Sequence, residues 1–193
     1  MPRRSVVIAA IVVFAAAAAW ILFIGLPLWY SARRAPAAAV ADTPATATAV
    51  RKITATLYFI SNDGMALVGV QREIPFAPTV VEQARAIIEA QLTAAPPLVS
   101  AIPAATTLRD VFFTERGDAF VDLSGEVVTR HPGGSLDEVF TVYALVNALT
   151  VNLPAVTRVQ ILVDGKELDT LAGHVDLRHP LAKSLEWVVH ESH

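Results

Sequence analysis

The chain has 193 residues, 54% of them hydrophobic, no cysteine and a formal net charge of −3. Residues 1–50 carry four arginines and one aspartate, and the remainder carries 11 basic and 17 acidic residues, a net of −6. An acidic remainder without a basic cluster repels phosphate backbones and excludes nucleic-acid binding. The missing cysteines exclude disulfides, thiolate metal sites, cysteine nucleophiles and a lipid anchor attached through cysteine.

The first five residues are expected to be a cytoplasmic N-terminus. From Val6 to Leu26 the sequence is uncharged and almost wholly apolar, and Trp20, Trp29 and Tyr30 accompany it. At about 1.5 Å per residue such a helix spans a bilayer core of about 30 Å, and aromatic residues suit its interface. A transmembrane helix over 6–30 is therefore predicted, with Trp20, Trp29 and Tyr30 as contacts to lipid or partner. A cleaved signal peptide ending near Ala37–Ala39 is the rival, against which the length of the apolar run argues. Arg3 and Arg4 on one side and Arg33 and Arg34 on the other place the rest of the chain outside the cytoplasm. The inner membrane of a bacterium, with a periplasmic or cell-surface domain, follows. Residues 31–50 are rich in Ala, Pro and Thr and read as an extended tether.

Residues 51–193 read as one folded domain. Ile53–Ile60 and Ala66–Ile74 flank Asn62-Asp63-Gly64 and form a predicted hairpin. Thr79 and Glu82 make a capping box ahead of an amphipathic helix containing Val80, Ala84, Ile87, Ile88 and Leu92. Leu108–Glu115 and Ala119–Leu123 form a second hairpin. Ser135 and Glu138 repeat the capping-box pattern before a helix that is apolar over most of its surface. Such a helix is central to the core or covered by another chain. Val142, Leu145 and Asn147 are accordingly partner-contact candidates, although Asn147 is read first as bonding the loop before Pro154 and only otherwise as a contact with another subunit. Thr157–Val163 and a strand around Leu168–Leu171 form a third hairpin, and a last helical turn is expected near Leu181–Val189. The fold class is α+β in the order ββαββαββ: a mostly antiparallel sheet with two helices packed on one face, preceded by the transmembrane helix. The free face or an edge of that sheet is a natural surface for a partner.

Several stretches, ATLYFISNDG, REIPF, SAIPAATTL, AFVDLSGE, TVYALVNALT and VQILVDGKELDTLAGHVDL, resemble the GerMN domain of sporulation and spore-germination proteins. The resemblance covers Thr54 to Leu181. It implies a fold akin to the ring-building modules of envelope machines, an extracytoplasmic setting, no known enzymatic activity and a part in membrane-associated complexes. Some members are lipoproteins that influence a sensor kinase. Many carry two copies of the domain and a lipid-modified cysteine, whereas this chain has one copy and no cysteine, so the resemblance by itself implies no sporulation role.

Chemistry-bearing clusters are few. His174-x-Asp176 with His179 has ligand types for a metal, but a tight turn at Gly173-His174 with Asp176 pairing locally explains them better. Gly173, His174 and Asp176 are thus expected to lock the chain's return onto the sheet. Asp122, Ser124 and His131 contain the types of a hydrolytic triad without a nucleophile elbow. Asp137 and Glu138 fit the first turn of a helix through its dipole. No cofactor and no metal is expected, and no enzyme. The function read from the sequence is a non-catalytic scaffold or accessory subunit. It binds proteins of a cell-envelope complex and lies on the bilayer, with a homo-oligomer as one form. A ligand-responsive regulator of a membrane partner is the alternative, and an envelope hydrolase ranks behind both.

Overall fold

The computed structural model describes residues 51–189. Strand β1 (Lys52–Ile60) pairs antiparallel with β2 (Leu67–Pro75), as the Asn-Asp-Gly turn between them requires. Asp63 shapes that turn by accepting from Ser61 Oγ and Met65 N. Helix α1 (Val80–Leu92) starts on the predicted box, with Glu82 N donating to Thr79 Oγ1 and Thr79 N to Glu82 Oε2. Strands β3 (Leu108–Phe113) and β4 (Asp118–Leu123) form the second hairpin. A short helix α2 (Glu126–Thr129) precedes the long α3 (Ser135–Asn152). Strand β5 (Arg158–Val163) turns through Asp164 and Gly165, both at positive φ as a tight hairpin demands, into the two-residue β6 (Lys166–Glu167). The chain ends its described part in β7 (Leu181–Ala182) and β8 (Val188–Val189).

The single mostly antiparallel sheet with two helices is corrected to two sheets and, among the described residues, three helices. One sheet has the order β1-β2-β8, and the other is built on β3-β4-β5-β6 with β7 on β5. Two physical causes account for this. The outer edge of β1 is closed by side chains rather than by a strand, because Asn152 bonds the N–H and C=O of Thr56 and Gln91 those of Tyr58. And β4 pairs with β5 in parallel, since the connection between them is a helix, which returns the chain in its original direction. Strand β8 is also parallel, to β2.

Three smaller expectations are corrected as well. The strand expected at Leu168–Leu171 shrinks to β6, and Leu181–Val189 forms two short strands instead of a helical turn. The second capping box does not form. Gly134 is the N-cap of α3 and has no side-chain bond, because Glu138 is engaged elsewhere. The membrane helix predicted over 6–30 and the tether over 31–50 lie outside the described residues, and no helix among those described is long and apolar enough to cross a membrane.

Helix α3 is the centre of the core. It packs against α1, β1 and β5, and Phe140, Ala144, Val146, Ala148 and Leu149 are all buried. Its apolarity on every side is thereby explained within the chain.

Candidate functional site

The most specific sequence block, 159–177, is organised by a carboxylate outside it. Glu138, in the first turns of α3, is fully buried. Its Oε1 accepts from Leu171 N and Ala172 N at 2.8 and 2.9 Å, and its Oε2 from His174 N at 2.7 Å. The His174 ring lies 3.1 Å from Oε2 through Nδ1. Burial pushes the Glu138 carboxyl upward, but the amides of Ala172, His174, Leu171 and Val175 outweigh it and hold the group below the usual carboxylate range. The loop closes on itself through Leu177 N to Asp169 O, and Gln160 donates from its side chain to Leu177 O. Gly173 makes the required turn at φ +98°, with Thr170 Oγ1 taking its amide.

Asp176 does pair locally. Arg178 gives it two guanidinium bonds and a backbone N–H, and this lowers its carboxyl well below the ordinary value. His174 and Asp176 are therefore engaged with different partners, and no group of three metal-ligating residues is gathered among the described residues.

The hydrolytic set is likewise dispersed. Ser124 Oγ accepts from Thr107 N. Asp122 binds Arg109 Nε at 3.1 Å and Gly165 N at 2.8 Å. His131 Nδ1 accepts from Gly133 N, so its Nε2 carries the hydrogen toward Thr141 Oγ1, whose hydroxyl donates to Ala101 O. Each polar group is spent on the fold.

Val142, Leu145 and Asn147 are core residues, wholly inaccessible to solvent, and as surface contacts of the isolated domain they are corrected. Helix α3 is apolar there because it is enclosed by its own chain. Asn147 does not reach the loop before Pro154. It clamps the C-terminal segment, donating to Ser184 O at 2.7 Å and accepting from Ser184 N at 3.1 Å. Trp20, Trp29 and Tyr30 lie outside the described residues.

A concave surface that sequence reasoning missed lies on the first sheet. It is a groove of about 720 Å³ between β1, β2 and β8, with Leu98 and Leu185 at its rim. Tyr58 faces it while only 3% exposed, and burial raises its phenol pKa. Leu185, Trp187 and Val189 are exposed nearby.

The family model described as "Germane: Sporulation and spore germination" matches residues 56–169. No curated protein matches the chain. Among solved structures, a candidate lipoprotein from Clostridium perfringens is 23% identical with a TM-score of 0.50, over 70% of this chain and 90% of that one. The tandem GerMN domains of the sporulation protein GerM from Bacillus subtilis are 21% identical with a TM-score of 0.54, over 68% of this chain and 46% of that one. The first of those domains alone is 20% identical with a TM-score of 0.51, over 67% of this chain and 97% of that one. At these identities the likeness establishes the fold, and the chain spans about half of the tandem protein.

Proposed function

Because the chain belongs to the Germane family of sporulation and spore-germination domains, we propose that it is a non-catalytic accessory subunit of a bacterial envelope complex, acting by binding another protein. One observation carries this reading. The buried Glu138, Gln91, Asn147 and Asp122 and the half-buried Asn152, polar side chains that could do chemistry, are each occupied by main-chain partners within the fold. A site prepared for catalysis keeps some such groups free and convergent. The candidate lipoprotein among the structural neighbours supports a membrane-associated, extracytoplasmic setting. Tethering at a membrane makes weak contacts effective by raising local concentration.

A second reading, a ligand-responsive regulator of a membrane partner, is favoured by the groove beside Tyr58. The hydrolase reading is set aside because Asp122, Ser124 and His131 hold separate partners.

Crosslinking of the full chain in its native cells tests the proposal. The expected result is a reproducible adduct with a defined envelope protein. A chain that remains free of protein adducts, yet binds a small molecule, would replace this reading by the regulator.

A further inference from the structure

The end of the first sheet opposite the Asn-Asp-Gly turn is apolar. Between Glu73 and Glu82 the chain reads Ile-Pro-Phe-Ala-Pro-Thr-Val-Val, without a charge. Ile74 is buried, but Phe76, Val80 and Val81 are 39%, 44% and 41% exposed, and Pro75 and Pro78 are exposed with them.

A loop that shows apolar side chains ordinarily shows free amides as well. Here the amides are already spent. Pro75 and Pro78 have none. Phe76 N donates to Arg51 O, Ala77 N to Gln83 Oε1 and Thr79 N to Glu82 Oε2. Gln83, a buried residue, also donates from Nε2 to Pro75 O, so one side chain pins the loop to the first turn of α1. The amides of Val80 and Val81, at the helix start, are the two in this stretch that bond no described residue. A partner that pairs main chain to main chain finds little here to hold. Lipid, which penalises unpaired amides, accepts such a loop.

The charges at this end suit a bilayer boundary. The Arg51 guanidinium lies 4.3 Å from the centroid of the Phe76 ring, a cation carried over an apolar ring. Glu73 is paired with Lys52 at 3.0 Å, and Glu82 accepts from Thr79 Oγ1. Arg51 is also the first described residue, and the 50 residues before it contain the uncharged run Val6–Leu26. The chain thus passes into the domain beside this loop, coming from its most apolar stretch.

We propose that Pro75–Val81 is a lipid-docking loop. Phe76, Val80 and Val81 enter the boundary between headgroups and acyl chains. Arg51 and the amides of Val80 and Val81 stay at the level of the lipid phosphates, whose oxygens reach them. The β1–β2 ladder then runs away from the bilayer and holds the Asn-Asp-Gly turn roughly 30 Å from the loop, so the far end of the domain is the part presented to proteins. The proposal rests on the membrane-associated setting proposed above and states which surface of the domain meets the lipid.

The full chain has no cysteine, so Val81→Cys carries a single nitroxide label in the loop. Met65→Cys, at an exposed position in the distant turn, carries the control label. Each labelled chain is reconstituted into vesicles of phosphatidylethanolamine and phosphatidylglycerol. Collisions of the label with oxygen, which concentrates in lipid, are compared with those of a water-soluble nickel chelate. Oxygen should dominate at Val81 and the chelate at Met65. Val80→Asp adds a charge where the helix dipole favours one, so it should return the Val81 label to water without unfolding the domain. Phe76→Ser should do the same. Chelate access at Val81 equal to that at Met65, or a Val81 label shielded from both reagents by protein, would overturn the loop. Flotation of the vesicles separates two failures. A chain that floats with both labels in water keeps the membrane setting and loses only the loop, whereas a chain that does not float loses both.

Discussion

Replacing Glu138 by glutamine should destabilise the domain severely although the substitution is nearly isosteric. The carboxylate satisfies three buried or half-buried amides at 2.7–2.9 Å as well as the His174 ring. A glutamine can turn its oxygen toward Leu171 and Ala172, but its amide nitrogen then faces His174 N–H, donor against donor. Losing one charge-assisted bond and leaving one half-buried donor unpaired costs about 2–4 kcal/mol. Glu138→Ala frees all of these donors and should cost about 3–5 kcal/mol. Urea unfolding of the full chain measures both.

The pH dependence gives an independent check. The folded-state pKa of Glu138 is lowered, so its contribution is complete above the unfolded value of about 4.3. It is lost as pH falls through the folded value. Glu138→Gln should therefore lose less stability than the parent on acidification through that window. A glutamine variant within about 0.5 kcal/mol of the parent, with the same acid limb, would refute the carboxylate as the organiser of the 171–175 loop.

Three further outcomes follow from the same geometry. Gln91→Leu leaves the buried N–H and C=O of Tyr58 without partners, costing about 2–4 kcal/mol. It should also promote aggregation through the freed β1 edge, read by light scattering. Asn147→Ala releases Ser184 from α3; a loss of about 1–3 kcal/mol is expected, with faster hydrogen exchange confined to residues 184–189. Gly117→Ala places a Cβ 2.8 Å from Ala155 O at φ +83°, which should cost about 1–3 kcal/mol in thermal or urea unfolding.

What the sequence made legible was local. The β1–β2 hairpin and the Thr79–Glu82 box depend on residues a few positions apart, and both form as read. The parallel pairing of β4 with β5 was obscured because hairpin signals say nothing about where a strand returns after a helix. The polar groups that hold the fold were hidden for the same reason. Glu138 meets Leu171 at a separation of 33 residues, and Asn152 meets Thr56 at 96. A helix-dipole explanation sufficed for Glu138 in the sequence. Yet Glu138 shares its helix face with Val142 and Leu145, and a carboxylate on an apolar stripe is the one signal that could have announced a buried acceptor. The contact assigned to Val142, Leu145 and Asn147 failed because an all-round apolar helix has two explanations, and here the chain's own core is the cover. The groove left no sequence trace, since it arises where Gly69 on β2 has no Cβ to set against Thr56 and Tyr58 on β1.

The central claim is that this domain works by holding another protein. Native mass analysis of the full chain, extracted gently from its own cells with its neighbours intact, tests it most directly. The account predicts a complex in a fixed ratio with at least one different envelope protein. A chain recovered alone under conditions that preserve other envelope complexes would contradict it.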